Sequence, residues 1–339
     1  MKRKQAAGVA LAAGLAMAAA GCGSAAPQAS STPTIGVSIS GLGIPYFVAT
    51  ADGVKDAARA DHVKLVLDNA NNSASQQLKQ VQDLIDQHVS ALVINPVDSG
   101  AIVPAILDAD RAHIPVVLLD RGADGGKYYT LVESNDVAMG KAAAQAIVQD
   151  LTRRFGAPKG NVVEIQGPLS TSAGLGRHQG FMDVMAQYPH IHVVAQADGD
   201  FSINGGFQAM SNILQAHPAR SGPDAIDAIF AANDQSAVGA AKALKDAGRM
   251  VPPSSPEHVF IVGIDGGPTG IAALKAGEMD TIIGQHPITM AEEAVHYALA
   301  ALHHRPSPGP VVYWPHVTIT PQNVGSVQIW GKRMSTSGS

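Results

Sequence analysis

The chain has 339 residues, 46% of them hydrophobic and 15% charged, with a formal net charge of −5 and a single cysteine. That apolar content excludes a disordered chain, and an acidic balance without a basic stripe argues against a nucleic-acid partner.

At the N-terminus, Lys2, Arg3 and Lys4 precede an uncharged, alanine-rich stretch over 6–20, and Ala19-Ala20-Gly21 leads into Cys22. A basic region, an apolar region and a small-residue junction, in that order, read as a signal peptide. The stretch falls short of the ~20 apolar residues of a comfortable membrane span. Cys22 at this junction resembles the lipobox cysteine of bacterial lipoproteins, with Ala19 where that pattern carries Leu. The resemblance implies lipidation of Cys22 and an extracytoplasmic protein anchored to the cell membrane; plain signal-peptide cleavage is the alternative. With Cys22 at the mature terminus, the folded body has no disulfide, no cysteine-ligated metal and no cysteine nucleophile. Residues 23–33, rich in Ser, Ala, Pro and Gln, read as a flexible tether. The ~300 residues beyond suggest two domains at the usual ~100–200 residues each.

Short aliphatic runs then alternate with segments of helical period. Strands are predicted over 35–40, 63–67, 91–94 and 116–119, separated by helices over 46–59, 75–87 and 101–112. Leu78, Val81 and Ile85 recur at spacings of three and four, the mark of one buried helix face. Further on, helices are predicted over 137–154, 172–187, 205–216, 235–247, 269–276 and 289–303. Strands are predicted over 162–165, 191–196, 228–232, 259–264 and 281–284. The tail from Pro306 is rich in Pro and Gly, with strand-like runs over 317–320 and 325–330. Alternating strand and helix specifies α/β architecture with parallel sheets. Strand runs that are apolar throughout fit sheets covered on both faces. The unit repeats before and after about residue 134, so the expected fold class is two similar doubly wound parallel-sheet lobes.

In open parallel sheets, ligands bind beyond the carboxyl ends of the strands. The residues that follow the apolar runs are Ser40, Asn95, Asp120 with Arg121, Asn233 with Asp234, Asp265, and Gln285. Singly, such residues read as turn formers or helix N-caps. Together they place donors and acceptors along one edge. Sugar hydroxyls both donate and accept: Asp accepts, Arg donates through a planar fork, and Asn and Gln do both. Tyr46, Phe47 and Phe201 offer aromatic faces for the C–H side of a sugar ring, although Phe47 at a helix start also suits a core position.

Several stretches resemble the bacterial ribose-binding proteins. They are Ile44-Pro45-Tyr46-Phe47, Val93-Ile94-Asn95-Pro96-Val97-Asp98-Ser99, Leu119-Asp120-Arg121, Gln166-Gly167, and Thr171-Ser172-Ala173 with Arg177 and Gly180-Phe181. Ala232-Asn233-Asp234 with Gly239-Ala240, Gly263-Ile264-Asp265-Gly266 and Ile283-Gly284-Gln285 complete the set. The likeness runs in order over nearly all of 34–330. It implies a solute receptor of a sugar ABC importer with the type I periplasmic-binding-protein fold, two lobes joined by a three-strand hinge. The N-terminal lobe would comprise 34–133 and 286–316, the C-terminal lobe 134–285 and 317–331, and residues 332–339 a disordered tail. The chain would cross between lobes near Ser134, Gln285 and His316. The resemblance further implies that Ser40, Tyr46, Phe47, Asn95, Asp120 and Arg121 meet the ligand from one lobe. Arg177, Phe201 and Asn233 would meet it from the other, with Asp265 and Gln285 near the hinge. The implied partners are a monosaccharide or polyol, the membrane permease and the membrane itself, for a monomeric protein with no cofactor, no metal site and no catalysis.

The sequence departs from the family at four specificity positions. Ile44 stands where ribose binders carry an Asn that contacts the sugar, Asn135-Asp136 reverse the usual order, and Leu175 replaces the first Arg of an Arg-x-Arg pair. A site built to pair a hydroxyl rejects an analogue without it, so loss of the Asn points toward a deoxy sugar, another pentose or a polyol. Sugar-responsive repressors share the fold but need an N-terminal DNA-binding domain where this chain has a signal peptide. Gly41-Leu42-Gly43 lacks the third glycine of a dinucleotide fingerprint. A receptor serving a chemosensor or sensor kinase would have the same pocket. Arg177→Ala is expected to abolish ligand binding with little change in the unliganded melting temperature.

Overall fold

The computed structural model describes residues 32–331. The signal sequence, Cys22, most of the tether and the expected tail at 332–339 lie outside the described residues.

The first half runs β1 (Thr34–Ile39), α1 (Pro45–Ala60), β2 (Lys64–Asn69), α2 (Ala74–Asp86), β3 (Ala91–Ile94), α3 (Val103–Arg111), β4 (Val116–Leu119) and β5 (Thr130–Ser134). The second runs α4 (Asp136–Phe155), β6 (Gly160–Gln166), α5 (Ser172–Met185), β7 (Ile191–Asp198), α6 (Ile203–Ala216), β8 (Ala228–Ala231), α7 (Asp234–Asp246), β9 (Phe260–Asp265), α8 (Pro268–Ala276) and β10 (Thr281–Gly284). Then come α9 (Pro287–Leu302), β11 (Val311–Trp314) and β12 (Val317–Ile319).

Two sheets result, ordered β11-β5-β4-β3-β1-β2 and β12-β10-β9-β8-β6-β7. Every neighbouring pair is parallel except β12, which runs antiparallel to β10. Strand order reverses between β1 and β3 in one sheet and between β6 and β8 in the other. At such a switch point the connections part to opposite faces and leave a crevice at the strands' carboxyl ends. The chain passes from the first sheet to the second after Ser134, back after Gly284, and across again after Trp314.

Adjacent strand residues feed opposite cores, as a period of two requires. Leu118 packs with α2 and α3, while its neighbour Leu119 packs with α1 and α9. In the second sheet Val162 faces α4 and α5, and Val163 faces α6 and α7. Ser73 starts α2 by accepting the Gln76 N–H at 3.2 Å, and the helix buries Val81, Leu84 and Ile85. Helices α4 and α5 meet backbone to backbone. A Cβ on Gly140 would lie 2.1 Å from the Arg177 carbonyl oxygen, and one on Gly180 would lie 2.0 Å from that of Val137. Only glycine permits that approach, and it fixes where Arg177 sits.

Two strands were not anticipated. β5 pairs with β4 and β11 although its Thr-Leu-Val-Glu-Ser sequence mixes polar with apolar residues. β11 is a four-residue edge strand flanked by Pro310 and Pro315. The strand expected over 325–330 does not form, because the tail packs through side chains instead. Trp330 donates its indole N–H to the Asp265 carbonyl at 2.9 Å, and a Cβ at Gly267 would lie 2.7 Å from its ring.

Candidate functional site

The carboxyl ends of both sheets face one small cavity. Its wall is formed by Ile44, Tyr46, Phe47, Asp120, Arg121, Ala173, Arg177, Phe201, Asn233 and Asp265. About 20 Å³ of it is open to the centre of a water molecule, room for roughly one water. A larger hollow of about 630 Å³ lies between Phe155, His190, Asp227 and His258. It sits at the amino-terminal edge of the second sheet, so it lacks the converging strand ends that make a site in this topology.

Each polar wall residue is set by its element. Asp120 follows β4 at φ 66°, Phe201 lies in the loop before α6 at φ 48°, and Asp265 ends β9 at φ 127°. Non-glycine residues with positive φ cost conformational energy and cluster at ligand clamps. Three of them border this one cavity. Asn233 caps α7, accepting the Ser236 N–H at 2.9 Å while its amide donates to the Phe201 carbonyl at 3.1 Å. The Phe201 ring lies against Gly167, where a Cβ would come within 2.2 Å of it.

The charged groups form a chain spanning the two sheets. Arg177 Nε donates to Asp136 Oδ1 at 2.8 Å and Nη1 to the Ala232 carbonyl at 2.8 Å, and Nη1 lies 3.8 Å from Asp265 Oδ1. Gln285 Nε2 donates to Asp265 Oδ1 at 2.8 Å. Tyr46 donates its hydroxyl to Asp120 Oδ1 at 2.6 Å, with Gln285 Oε1 3.3 Å from the same hydroxyl. Arg121 is stacked between Phe47 and Phe201, 5.0 and 5.5 Å from their ring centres. Its Nη1 donates to the Pro96 carbonyl at 3.2 Å, and its buried Nε has no hydrogen-bond partner among the described residues.

Burial sets the protonation of this cluster. It pushes Asp265 up to about 7 against the pull of Arg177 and Gln285. Burial likewise lifts Asp136 to about 6, opposed by Arg177. Glu133, on β5, is pushed up to about 9 by burial, then by Asp136 and Asp120. Burial, then Asp120, keeps the Tyr46 hydroxyl protonated. For Arg177, burial works against the charge, but Asp136, Asp265 and Asp120 outweigh it and hold the guanidinium firmly charged. Burial lowers Arg121, partly offset by Asp120.

Eight of the eleven expected ligand-binding residues therefore lie on the cavity wall: Tyr46, Phe47, Asp120, Arg121, Arg177, Phe201, Asn233 and Asp265. Ser40, Asn95 and Gln285 stand one side chain behind it. Ser40 Oγ donates to Asn95 Oδ1 at 2.6 Å, and Asn95 Nδ2 reaches Asp120 Oδ2 at 3.3 Å. Of the expected specificity positions, Ile44 is on the wall and Asp136 anchors Arg177. Asn135 caps α4 through the Ala138 N–H at 2.9 Å, and Leu175 is half exposed on α5, off the wall.

Sequence reasoning missed Ala173 on the wall, Trp330 behind Asp265, and a clasp beside the cavity. In the clasp, Ser172 donates its N–H to Ser99 Oγ at 3.1 Å, and Ser99 donates its N–H to the Ser170 carbonyl at 3.0 Å. Gly122 donates its N–H to Ser172 Oγ at 2.8 Å. Both serines fall inside motifs quoted for the family resemblance, which was the available signal.

Residues 35–306 match the family model described as a periplasmic binding protein domain. The ribose import binding protein of Bacillus subtilis is 35% identical over 270 residues, covering 80% of this chain and 82% of its own. The xylitol-binding protein of Mycolicibacterium smegmatis is 33% identical over 267 residues, covering 79% and 71%. The crystal structure of a galactofuranose binding protein matches with a TM-score of 0.79 at 26% identity, over 86% of this chain and 96% of that one. Two doubly wound sheets with facing switch points, and a family match over most of the chain, place this protein in the periplasmic-binding-protein family.

Proposed function

We propose that this protein is the extracytoplasmic sugar-binding component of an ABC importer, lipid-anchored to the cell membrane through Cys22. The observation that carries the reading is the cavity itself. Both sheets aim carboxylates, guanidinium groups and a carboxamide at one point, and Phe47 and Phe201 frame it with aromatic faces. This donor and acceptor set suits a small neutral polyhydroxylated ligand, and relatives named for ribose, xylitol and galactofuranose agree with that chemistry.

In this reading Asp265 accepts ligand hydroxyls while Arg121, Arg177 and Asn233 donate to them, and Asp120 borders the ligand with its oxygens engaged by Tyr46 and Asn95. The partnerless Arg121 Nε is one donor that a hydroxyl oxygen would satisfy. Tyr46, Phe47 and Phe201 pack on the ring or carbon chain. Ser40, Asn95 and Gln285 act from behind by fixing the carboxylates. The lobes are 34–133 with 286–316 and 134–285 with 317–331. They part to admit the ligand, since the cavity as it stands holds only about a water, and close over it. The permease then reads the closed shape. The charged side chains of the cleft neutralise one another, and we assign them binding rather than catalysis.

A thermal-shift panel of pentoses, deoxy sugars, hexoses and polyols tests this. A cognate ligand at 100 times its dissociation constant adds about 2.7 kcal/mol of stability, so one member should raise the melting temperature by several degrees. A flat panel would refute the reading.

A further inference from the structure

Tyr46 does something that its packing does not require. Its ring meets Phe47 and Trp330 edge-on at 5.4 and 5.9 Å, contacts that a phenylalanine would make equally well. The hydroxyl, however, reaches across the cavity wall to Asp120 Oδ1 at 2.6 Å, the distance of a strong charge-assisted bond. Asp120 is one of the wall's two carboxylates and the only one on the first sheet's side. Its other oxygen, Oδ2, already accepts from Asn95 at 3.3 Å and lies 3.9 Å from Arg121 Nε. Gln285 turns its acceptor oxygen, not an N–H, toward the tyrosine, while its amide nitrogen donates to Asp265. Ile44 lines the same wall with purely apolar surface.

We propose that the Tyr46 hydroxyl takes the seat of a ligand hydroxyl on Asp120, making Tyr46 a specificity-determining residue that selects a sugar or polyol lacking a hydroxyl at the edge facing Asp120. This rests on the sugar-receptor reading above. The protein supplies internally one hydroxyl that a fully hydroxylated ligand would otherwise bring. A ligand carrying that hydroxyl must displace Tyr46 or leave its own group unpaired in a dry site, at a cost of roughly tenfold to a hundredfold in affinity.

The test is calorimetric titration of the wild type and Tyr46→Phe with D-ribose, xylitol and D-allose, each beside its set of monodeoxy analogues. For the wild type, one deoxy analogue should bind at least about tenfold more tightly than its parent. In Tyr46→Phe, Asp120 Oδ1 is free and the preference should invert by a similar factor. An unchanged parent-to-deoxy ratio in the variant would overturn the proposal. So would a variant that melts and gives circular dichroism like the wild type yet binds neither member of the pair, because the hydroxyl would then be a ligand contact. Wild-type protein that binds none of these compounds would sink the sugar-receptor reading and this inference with it.

Discussion

Arg177 shows how burial changes what a side chain is worth. Read from the sequence, it was a ligand donor that could be removed with little effect on the empty protein. In the fold it is 4% exposed and bonded to Asp136 and the Ala232 carbonyl. Removing one member of a buried ion pair strands the other, at a typical cost of about 3–5 kcal/mol. Arg177→Ala should therefore lower the unliganded melting temperature substantially, and Asp136→Asn in the same chain should recover part of the loss. Denaturant unfolding of the two variants checks this, and an unchanged midpoint for Arg177→Ala would mean that Asp136 finds another partner. Individual wall residues were legible because strand-end polarity is local in sequence. Asp136 as the anchor of Arg177 was not, since the contact depends on two helices packed through Gly140 and Gly180.

At the level of elements, long periodic segments declared themselves and short ones did not. The apolar face of α2 and the all-apolar β3, β4 and β8 could be read directly. β5 could not, because a strand whose partners lie at 116–119 and 311–314 carries little evidence in its own five residues. The run 325–330 misled through its alternating Val327 and Ile329, since alternation records which side chains are buried and not whether the backbone pairs. The Ser99–Ser172 clasp is likewise a product of elements meeting, joining the loop after β3 to the start of α5. Each such neutral hydrogen bond contributes about 0.5–1.5 kcal/mol. Ser172→Ala removes the acceptor of the Gly122 N–H, so bound sugar should dissociate roughly 2- to 10-fold faster. Stopped-flow tryptophan fluorescence, with Trp330 against Asp265 as reporter, would measure it. An unaltered off-rate would show that the clasp does not hold the closed form.

Across the whole molecule, the two sheets repeat one strand order and place their switch points face to face. Three passages of chain join them, and side chains bridge them from both directions: the Asp120–Tyr46–Gln285–Asp265 chain at the back and the serine clasp beside the cavity. Around the cavity the two sides meet closely, leaving open space of about one water. In the proposed mechanism the ligand-free lobes stand apart, and the bound sugar bridges them and shifts the population to the closed arrangement. Small-angle X-ray scattering of the mature chain, with and without the sugar that gives the largest thermal shift, tests that closure most directly. Hinge closure predicts a smaller radius of gyration at saturation, whereas identical scattering in the two states, under conditions where calorimetry shows full occupancy, would contradict it.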